Sequence, residues 1–260
     1  MKILMVGCGR MGRALLENWK CGSDEFFIVD PGLEFAPNDV RLFGDVAQIR
    51  GLKFDVVVIA VKPQLIDSVI SDYAGSFAPD AYLLSIAAGC SIERLKKASD
   101  GQPVVRVMPN LPAAIGAGFS GLCASPDVVE AQLLHAIELM KRAGSVVVVD
   151  DEDALDRFTA IAGSGPGYVF EILRAYVKAA TNLGFAEELA TTMVLETLKG
   201  SIALAQQSQL SLEELRNSVT SQDGTTAAGL RVLNSRGELN ELFAKTLNAA
   251  YDRAIKLRGA

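Results

Sequence analysis

The feature that most constrains this chain is a change of pattern near residue 150. Before it, short β-branched runs alternate with helical stretches. After it, only helical spacing remains. Ile3 to Val6, Phe26 to Asp30, Asp55 to Ala60, Tyr82 to Ile86, Val104 to Val107 and Val146 to Val149 read as strands, while Arg10 to Lys20, Pro63 to Tyr73, Ser91 to Ala98 and Pro126 to Arg142 read as helices. Such alternation with short connections predicts crossover units on a mostly parallel sheet. Beyond it, Ala, Leu and Met recur at helical spacing through Gly167 to Leu183, Ala186 to Ala205, Leu212 to Val219, Thr225 to Leu233 and Asn240 to Leu257. A chain of 260 residues, half of them hydrophobic, can bury two cores. The expectation is an α/β domain over residues 1–150 and an all-α domain over 151–260.

At the first strand-to-helix junction stands Gly7-Cys8-Gly9-Arg10-Met11-Gly12, a GxGxxG directly after a strand and opening a helix. That context gives the motif its meaning: Gly7 permits the tight turn, Gly9 lets backbone approach a pyrophosphate, Gly12 lets the helix pack on the strand, and the helix amides face the phosphate charge. The N-terminal domain is therefore expected to be a Rossmann-like dinucleotide-binding domain. Asp30 ends the second strand where a carboxylate accepts from the adenosine ribose hydroxyls, which favours NADH because it would repel a 2'-phosphate. Asp30-Pro31-Gly32 is equally a turn opener. In Ala60-Val61-Lys62-Pro63, Lys62 falls at a strand's carboxyl end, where it steadies the cofactor or the substrate carboxylate, or is simply solvated. Ala87, Ala88 and Gly89 place small residues where the nicotinamide would lie. Asn110 either donates its amide to a ligand or makes an Asx turn.

Several partner classes are disfavoured. The net charge of -6, with Lys and Arg scattered, argues against nucleic acid. Four cysteines (Cys8, Cys21, Cys90, Cys123) without CxxC spacing, beside the single histidine His135, argue against a metal site and for reduced thiols. The apolar start Met1 to Val6 stops at Gly7, and no run reaches the roughly 20 apolar residues of a membrane span, so a cytoplasmic protein is expected. His135, on an amphipathic stretch, reads as a packing or surface residue. Small residues on the later helices, such as Ala175, Ala179, Ala180, Ala203 and Ala205, allow close helix approach and suggest a homodimer.

Six blocks occur in order along the chain: Gly7 to Gly12, Ala60-Val61-Lys62-Pro63-Gln64, Ser85-Ile86-Ala87-Ala88-Gly89, Val105-Arg106-Val107-Met108-Pro109-Asn110, Gly163-Ser164-Gly165-Pro166 and Val219-Thr220-Ser221-Gln222-Asp223-Gly224-Thr225-Thr226. Together they resemble the pyrroline-5-carboxylate reductase family. The resemblance implies an oxidoreductase that reduces the cyclic imine of 1-pyrroline-5-carboxylate to L-proline with NAD(P)H, the last step of proline biosynthesis. It also implies a helical domain that interlocks in dimers or larger assemblies. Ser221 to Thr226 would form the loop holding the substrate carboxylate through Ser221, Gly224 and Thr225, with Ser218 nearby. Thr226 would hydrogen-bond the imine nitrogen as candidate proton donor.

On physics alone, Gly224-Thr225-Thr226 fits an anion site at a helix start or an ordinary capped N-terminus. Gly163-Ser164-Gly165-Pro166 reads as a turn before a long helix, with Ser164 capping it or the turn shaping the substrate pocket, and Glu152 and Asp153 read as solvated first-turn charges or, by the resemblance, as carboxylates near the substrate. The chain departs from the family pattern at Gln222-Asp223, where Pro-Gly is common, and at Leu111, Gly167 and Ser218. Two rivals remain: another imine or hydroxyacid reductase of this architecture, and an NAD-sensing protein without turnover. The hydroxyacid reading needs a lysine early in the second domain, and the nearest, Lys178, lies well into its helix.

Overall fold

In the computed structural model, residues 1–20, 22–36 and 40–259 are described; Cys21 lies outside them. Among the described residues the strands are β1 (Lys2–Val6), β2 (Glu25–Val29), β3 (Arg41–Phe43), β4 (Phe54–Ile59), β5 (Phe77–Ser85), β6 (Val104–Met108), β7 (Gly118–Ala124) and β8 (Gly144–Val148). They form one sheet in the order β3-β2-β1-β4-β5-β6-β7-β8. Every neighbouring pair is parallel except β6 and β7. The helices are α1 (Arg10–Trp19), α2 (Ile66–Val69), α3 (Ile92–Ala98), α4 (Glu130–Lys141), α5 (Glu152–Phe158), α6 (Gly165–Asn182), α7 (Glu187–Gln207), α8 (Leu212–Ser218), α9 (Thr225–Leu233) and α10 (Glu238–Arg258). The chain packs as two compact units, residues 1–166 with 248–260 and residues 167–247. The expected α/β class with helices after the sheet is what the chain adopts.

Parallel strands are buried on both faces, which explains their continuous apolar runs. β1 sends Ile3 and Met5 into a core with Leu15, Leu16 and Trp19 of α1 and Leu139 and Met140 of α4. Leu4 and Val6, pointing the other way, meet Ile66, Ile70, Tyr73 and Leu95. The two-residue side-chain period thus divides one strand between two cores.

The structure departs from the sequence reading at several elements. β3 and β7 were not expected as strands, and β7, Gly118-Phe119-Ser120-Gly121-Leu122-Cys123-Ala124, lacks the usual β-branched signature. Its glycines answer neighbours in other elements: a Cβ on Gly118 would lie 2.8 Å from Ala113 Cβ, and one on Gly121 2.7 Å from Phe158 Cδ1. Pro63 to Tyr73 is not one helix but a 3₁₀ turn (Pro63–Leu65), the single turn α2 and a 3₁₀ run (Ile70–Ser76). Its β-branched and serine residues favour helix weakly, and Ser68 Oγ donates back to Leu65 O at 3.0 Å. Finally, α4 starts at Glu130 rather than Pro126. Asp127 is drawn off into an ion pair with Lys96 at 2.6 Å.

His135 packs as expected, half-buried on α4. Its Nδ1 lies 2.8 Å from the Tyr82 hydroxyl, and its Nε2 is buried without a partner among the described residues. Burial pushes the imidazole below its ordinary value; Asp24 pulls it up and Arg142 pushes it down. The unfolded chain therefore takes up a proton first, near the usual value of about 6.5. The stability that comes from keeping this ring neutral is complete above that pH and is lost as pH falls toward the lower folded value. Urea midpoints measured from pH 8 to pH 5 should fall less steeply for His135→Gln than for the parent, and parallel curves would remove His135 from this role.

Candidate functional site

A cavity of about 500 Å³ opens beyond the carboxyl ends of β1 and β4. Strand order reverses there, because β2 and β4 lie on opposite sides of β1. A doubly wound sheet binds ligands at this reversal, where the loops diverge. Gly7, Gly9, Asp30, Lys62 and Tyr73 are among its lining residues.

The three glycines do separate work. Gly7 has φ +80°, and a Cβ there would lie 2.8 Å from Val61 Cγ1 and 3.2 Å from the Ala60 carbonyl carbon. Only a residue without a side chain makes that turn unstrained. Gly12 sits with its would-be Cβ 3.3 Å from both Ala60 Cβ and Met5 Sδ, so α1 lies close on the sheet. Gly9 meets nothing within 4 Å. Its bare Cα faces open space, and α1 starts from it with no side-chain cap and no acidic residue in its first turn. Arg10 is exposed and Met11 packs on the core. The open first-turn amides give this end positive character toward an anion.

Asp30 forms the turn that one of its sequence readings expects and also holds the Gly-rich turn. Its Oδ1 accepts from Gly32 N at 2.9 Å, the Asx turn, and its Oδ2 accepts from Cys8 N at 2.7 Å. The carboxylate is thereby pinned to the Gly-rich turn, at the cavity wall. Cys8 is buried, and burial pushes its thiol up, so it stays protonated. The other described cysteines, Cys90 and Cys123, are also free and buried. Burial raises the Tyr73 hydroxyl to about 12, leaving it a neutral donor on the cavity wall. Lys62 is exposed, precedes a 3₁₀ turn opened by Pro63, and makes no hydrogen bond or ion pair among the described residues. It is the lysine lining this cavity.

The loop after β5 holds Ala87, buried, and Ala88, exposed. Gly89 has φ +65° and rests against Leu257. Asn110, after β6, uses its carboxamide on the protein: Nδ2 donates to Ala162 O at 3.1 Å and Oδ1 accepts from Phe119 N at 2.9 Å. The Asx turn, one of its two sequence readings, does not form; this longer-range bridge stands in its place.

Two readings are corrected. Glu152 is not a solvated charge: it pairs with Arg106, and its Oε1 accepts from Ile92 N at 2.9 Å. The signal was available, since Arg106 stands alone in an apolar strand and is 5% exposed; a buried cation demands a partner. Ser164 does not cap α6. Residues Thr159–Gly163 form a π-helical turn closed by Ser164 N to Thr159 O at 2.8 Å, and the Ser164 side chain makes no hydrogen bond among the described residues.

In the second unit α9 begins after Gly224, again without a side-chain cap. The Thr225 and Thr226 side chains are exposed, and their hydroxyls have no partner among the described residues. Gly224 N donates to Ser221 O at 3.1 Å, and a Cβ on Gly224 would overlap Ser221 Oγ. Ser218, at the end of α8, turns its hydroxyl to Leu215 O at 2.8 Å. Asp223 has φ +58°, a conformation that glycine takes freely and aspartate tolerates. Lys178 lies inside α6, not near its start.

The C-terminal part matches, over residues 152–257, the family model described as pyrroline-5-carboxylate reductase dimerisation. The pyrroline-5-carboxylate reductase of Pseudomonas aeruginosa is 34% identical over 264 residues, covering 98% of this chain and 96% of that one. The chain belongs to the pyrroline-5-carboxylate reductase family. A solved pyrroline-5-carboxylate reductase from Coxiella burnetii, 34% identical, superposes with a TM-score of 0.89 over 98% of this chain and 97% of that one. The Plasmodium falciparum pyrroline carboxylate reductase, solved with NADP bound, gives 0.89 at 25% identity over 99% and 98%. Family likeness thus spans both the Gly-rich turn and the helices after it.

Proposed function

We propose that the chain reduces 1-pyrroline-5-carboxylate to L-proline with NAD(P)H, the final step of proline biosynthesis. The observation that carries this reading is identity to a pyrroline-5-carboxylate reductase over 98% of the chain. The functional division is a cofactor domain over residues 1–150 and a helical substrate and dimerisation domain over 151–260.

The cofactor site fits a dinucleotide, because the open space at Gly9 and the uncapped start of α1 suit a pyrophosphate. When bound, the dinucleotide supplies a hydride from the nicotinamide. Gly7 to Gly12 and Asp30 hold its adenosine and pyrophosphate, Ala60 to Pro63 border it, and Ala87 to Gly89 with Asn110 bound the nicotinamide end. The substrate carboxylate goes to the open amides of α9 with Ser218, Ser221, Gly224 and Thr225. Thr226 hydrogen-bonds the imine nitrogen. Reduction adds a hydride to the imine carbon and leaves a proton on nitrogen, so the protein's main task is to hold donor and acceptor carbons about 3 to 3.5 Å apart. A chain with one histidine, packed on Tyr82, suits that task.

Asp30 favours NADH. Its fixed carboxylate retains lone pairs for the ribose hydroxyls and opposes a 2'-phosphate. Asp30→Ser should narrow the gap between the NADH and NADPH dissociation constants by about tenfold, worth ~1.4 kcal/mol, and an unchanged ratio would show that Asp30 does not choose the cofactor.

The active form is a cytoplasmic homodimer or larger homo-oligomer. Supporting this, residues of 167–247 leave Leu183 82%, Val232 78% and Leu212 75% exposed, apolar side chains that a partner subunit would cover. Among the described residues no helix is long and apolar enough to cross a membrane. Sedimentation should give a dimer or larger species at micromolar concentration, and a monomer would sink this part. The activity itself is tested by following NADH and NADPH oxidation separately with pyrroline-5-carboxylate. Binding without oxidation would favour the sensing rival.

A further inference from the structure

The loop after β5 is gripped by segments far away in sequence. Gly89 has φ +65°, and a Cβ on it would lie 2.6 Å from Leu257 Cβ and 3.0 Å from the Leu257 carbonyl carbon. The end of α10 therefore rests directly on this loop. That end is itself anchored. Arg258 Nε donates to Asp156 Oδ2 at 2.7 Å, and the Asp156 side chain is only 3% exposed. Tyr251 donates its hydroxyl to Asp153, and Ala254 is buried. On the far side of the loop, Ile92 N donates to Glu152, which Arg106 holds. Residues 87–92 are thus shaped by α5 and α10 as much as by their own sequence.

We infer that the end of α10 is a positioning element for the nicotinamide end of the cofactor site, with Arg258 the residue that seats it. This rests on the reading of Ala87 to Gly89 as the nicotinamide loop. A buried carboxylate that loses its cation is left uncompensated, so removing Arg258 releases more than a surface pair would. Leu257 then no longer backs Gly89. The effect stays local: β4 lies between β5 and β1, so the loop is two strands, about 10 Å, from the Gly7 turn.

The test compares two ligands on the full chain. Dissociation constants for NADH and for ADP-ribose, which lacks the nicotinamide, are measured by calorimetry for the parent, Arg258→Ala, Arg258→Lys and Leu257→Gly. Turnover with pyrroline-5-carboxylate is measured beside them. Arg258→Ala should weaken NADH and leave ADP-ribose unchanged. Its kcat should fall on the order of ten- to a hundredfold, as displacement of a reacting group by about an ångström does. Arg258→Lys should recover most of this. Leu257→Gly, which leaves the ion pair intact and removes the Cβ that lies nearest Gly89, should reproduce the selective loss and decides the matter if Arg258→Ala does not fold. Equal loss of both ligands, or loss of neither, would overturn the inference. A parent that binds NADH but turns over no imine would instead overturn the proposed reaction, and the two-ligand comparison would still decide the role of Arg258.

Discussion

Thr226→Ala is expected to keep full affinity for the dinucleotide and to lose turnover on the order of a hundredfold, the lower range of what a positioned proton donor contributes. The hydroxyl is exposed at the uncapped start of α9 and has no partner among the described residues, so its removal leaves no buried group unsatisfied. Folding should be unaffected, within about 0.5 kcal/mol. Thr226→Ser should retain most of the rate because it keeps the hydroxyl. Unchanged kcat and KM in the alanine chain would remove Thr226 from the reaction. A loss confined to KM would make it a binding residue only.

The second large effect separates two glycines that a motif treats alike. Gly9→Ala adds a methyl into open space, so the melting temperature should hold while dinucleotide affinity falls by about 1 to 3 kcal/mol, the cost of overfilling a fitted contact. That is roughly five- to 150-fold in dissociation constant. Gly7→Ala should damage both, since its φ of +80° strains any side chain and its Cβ would meet Val61 Cγ1 at 2.8 Å. Calorimetric binding and thermal melts on both chains check the split. If Gly9→Ala binds like the parent, the pyrophosphate does not pass over Gly9.

Local chemistry made much of this legible. Strand, glycine turn and helix are contiguous, so Gly7 to Gly12 could be assigned three distinct roles from spacing, and each glycine has the geometry its role requires. Asp30 was readable as a turn opener from its neighbours alone, and Gly32 N does donate to it, whereas its hold on Cys8 N, 22 residues away, was not readable. What escaped is non-local. In β7 the glycine at position 121 lies against Phe158 and Leu155 of α5, neighbours that no short window around the strand contains. The Arg106–Glu152 pair joins residues 46 apart, and the packing of Leu257 on Gly89 joins the two ends of the chain's pattern. Propensity carries no record of such partners. The substitution of Gln222-Asp223 is partly explained: position 223 requires a left-handed backbone, and aspartate is among the few side-chain-bearing residues that accept it. Nothing in the structure explains Gln222.

The most direct test of hydride transfer to the imine is isotopic. The chain is incubated with pyrroline-5-carboxylate and NADH, and separately NADPH, deuterated at the transferring C4 position, and the proline formed is examined by mass and NMR. The account predicts L-proline carrying one deuterium, on the carbon that had been double-bonded to nitrogen, with a faster reaction from NADH. Cofactor binding with no labelled proline from either dinucleotide would contradict it.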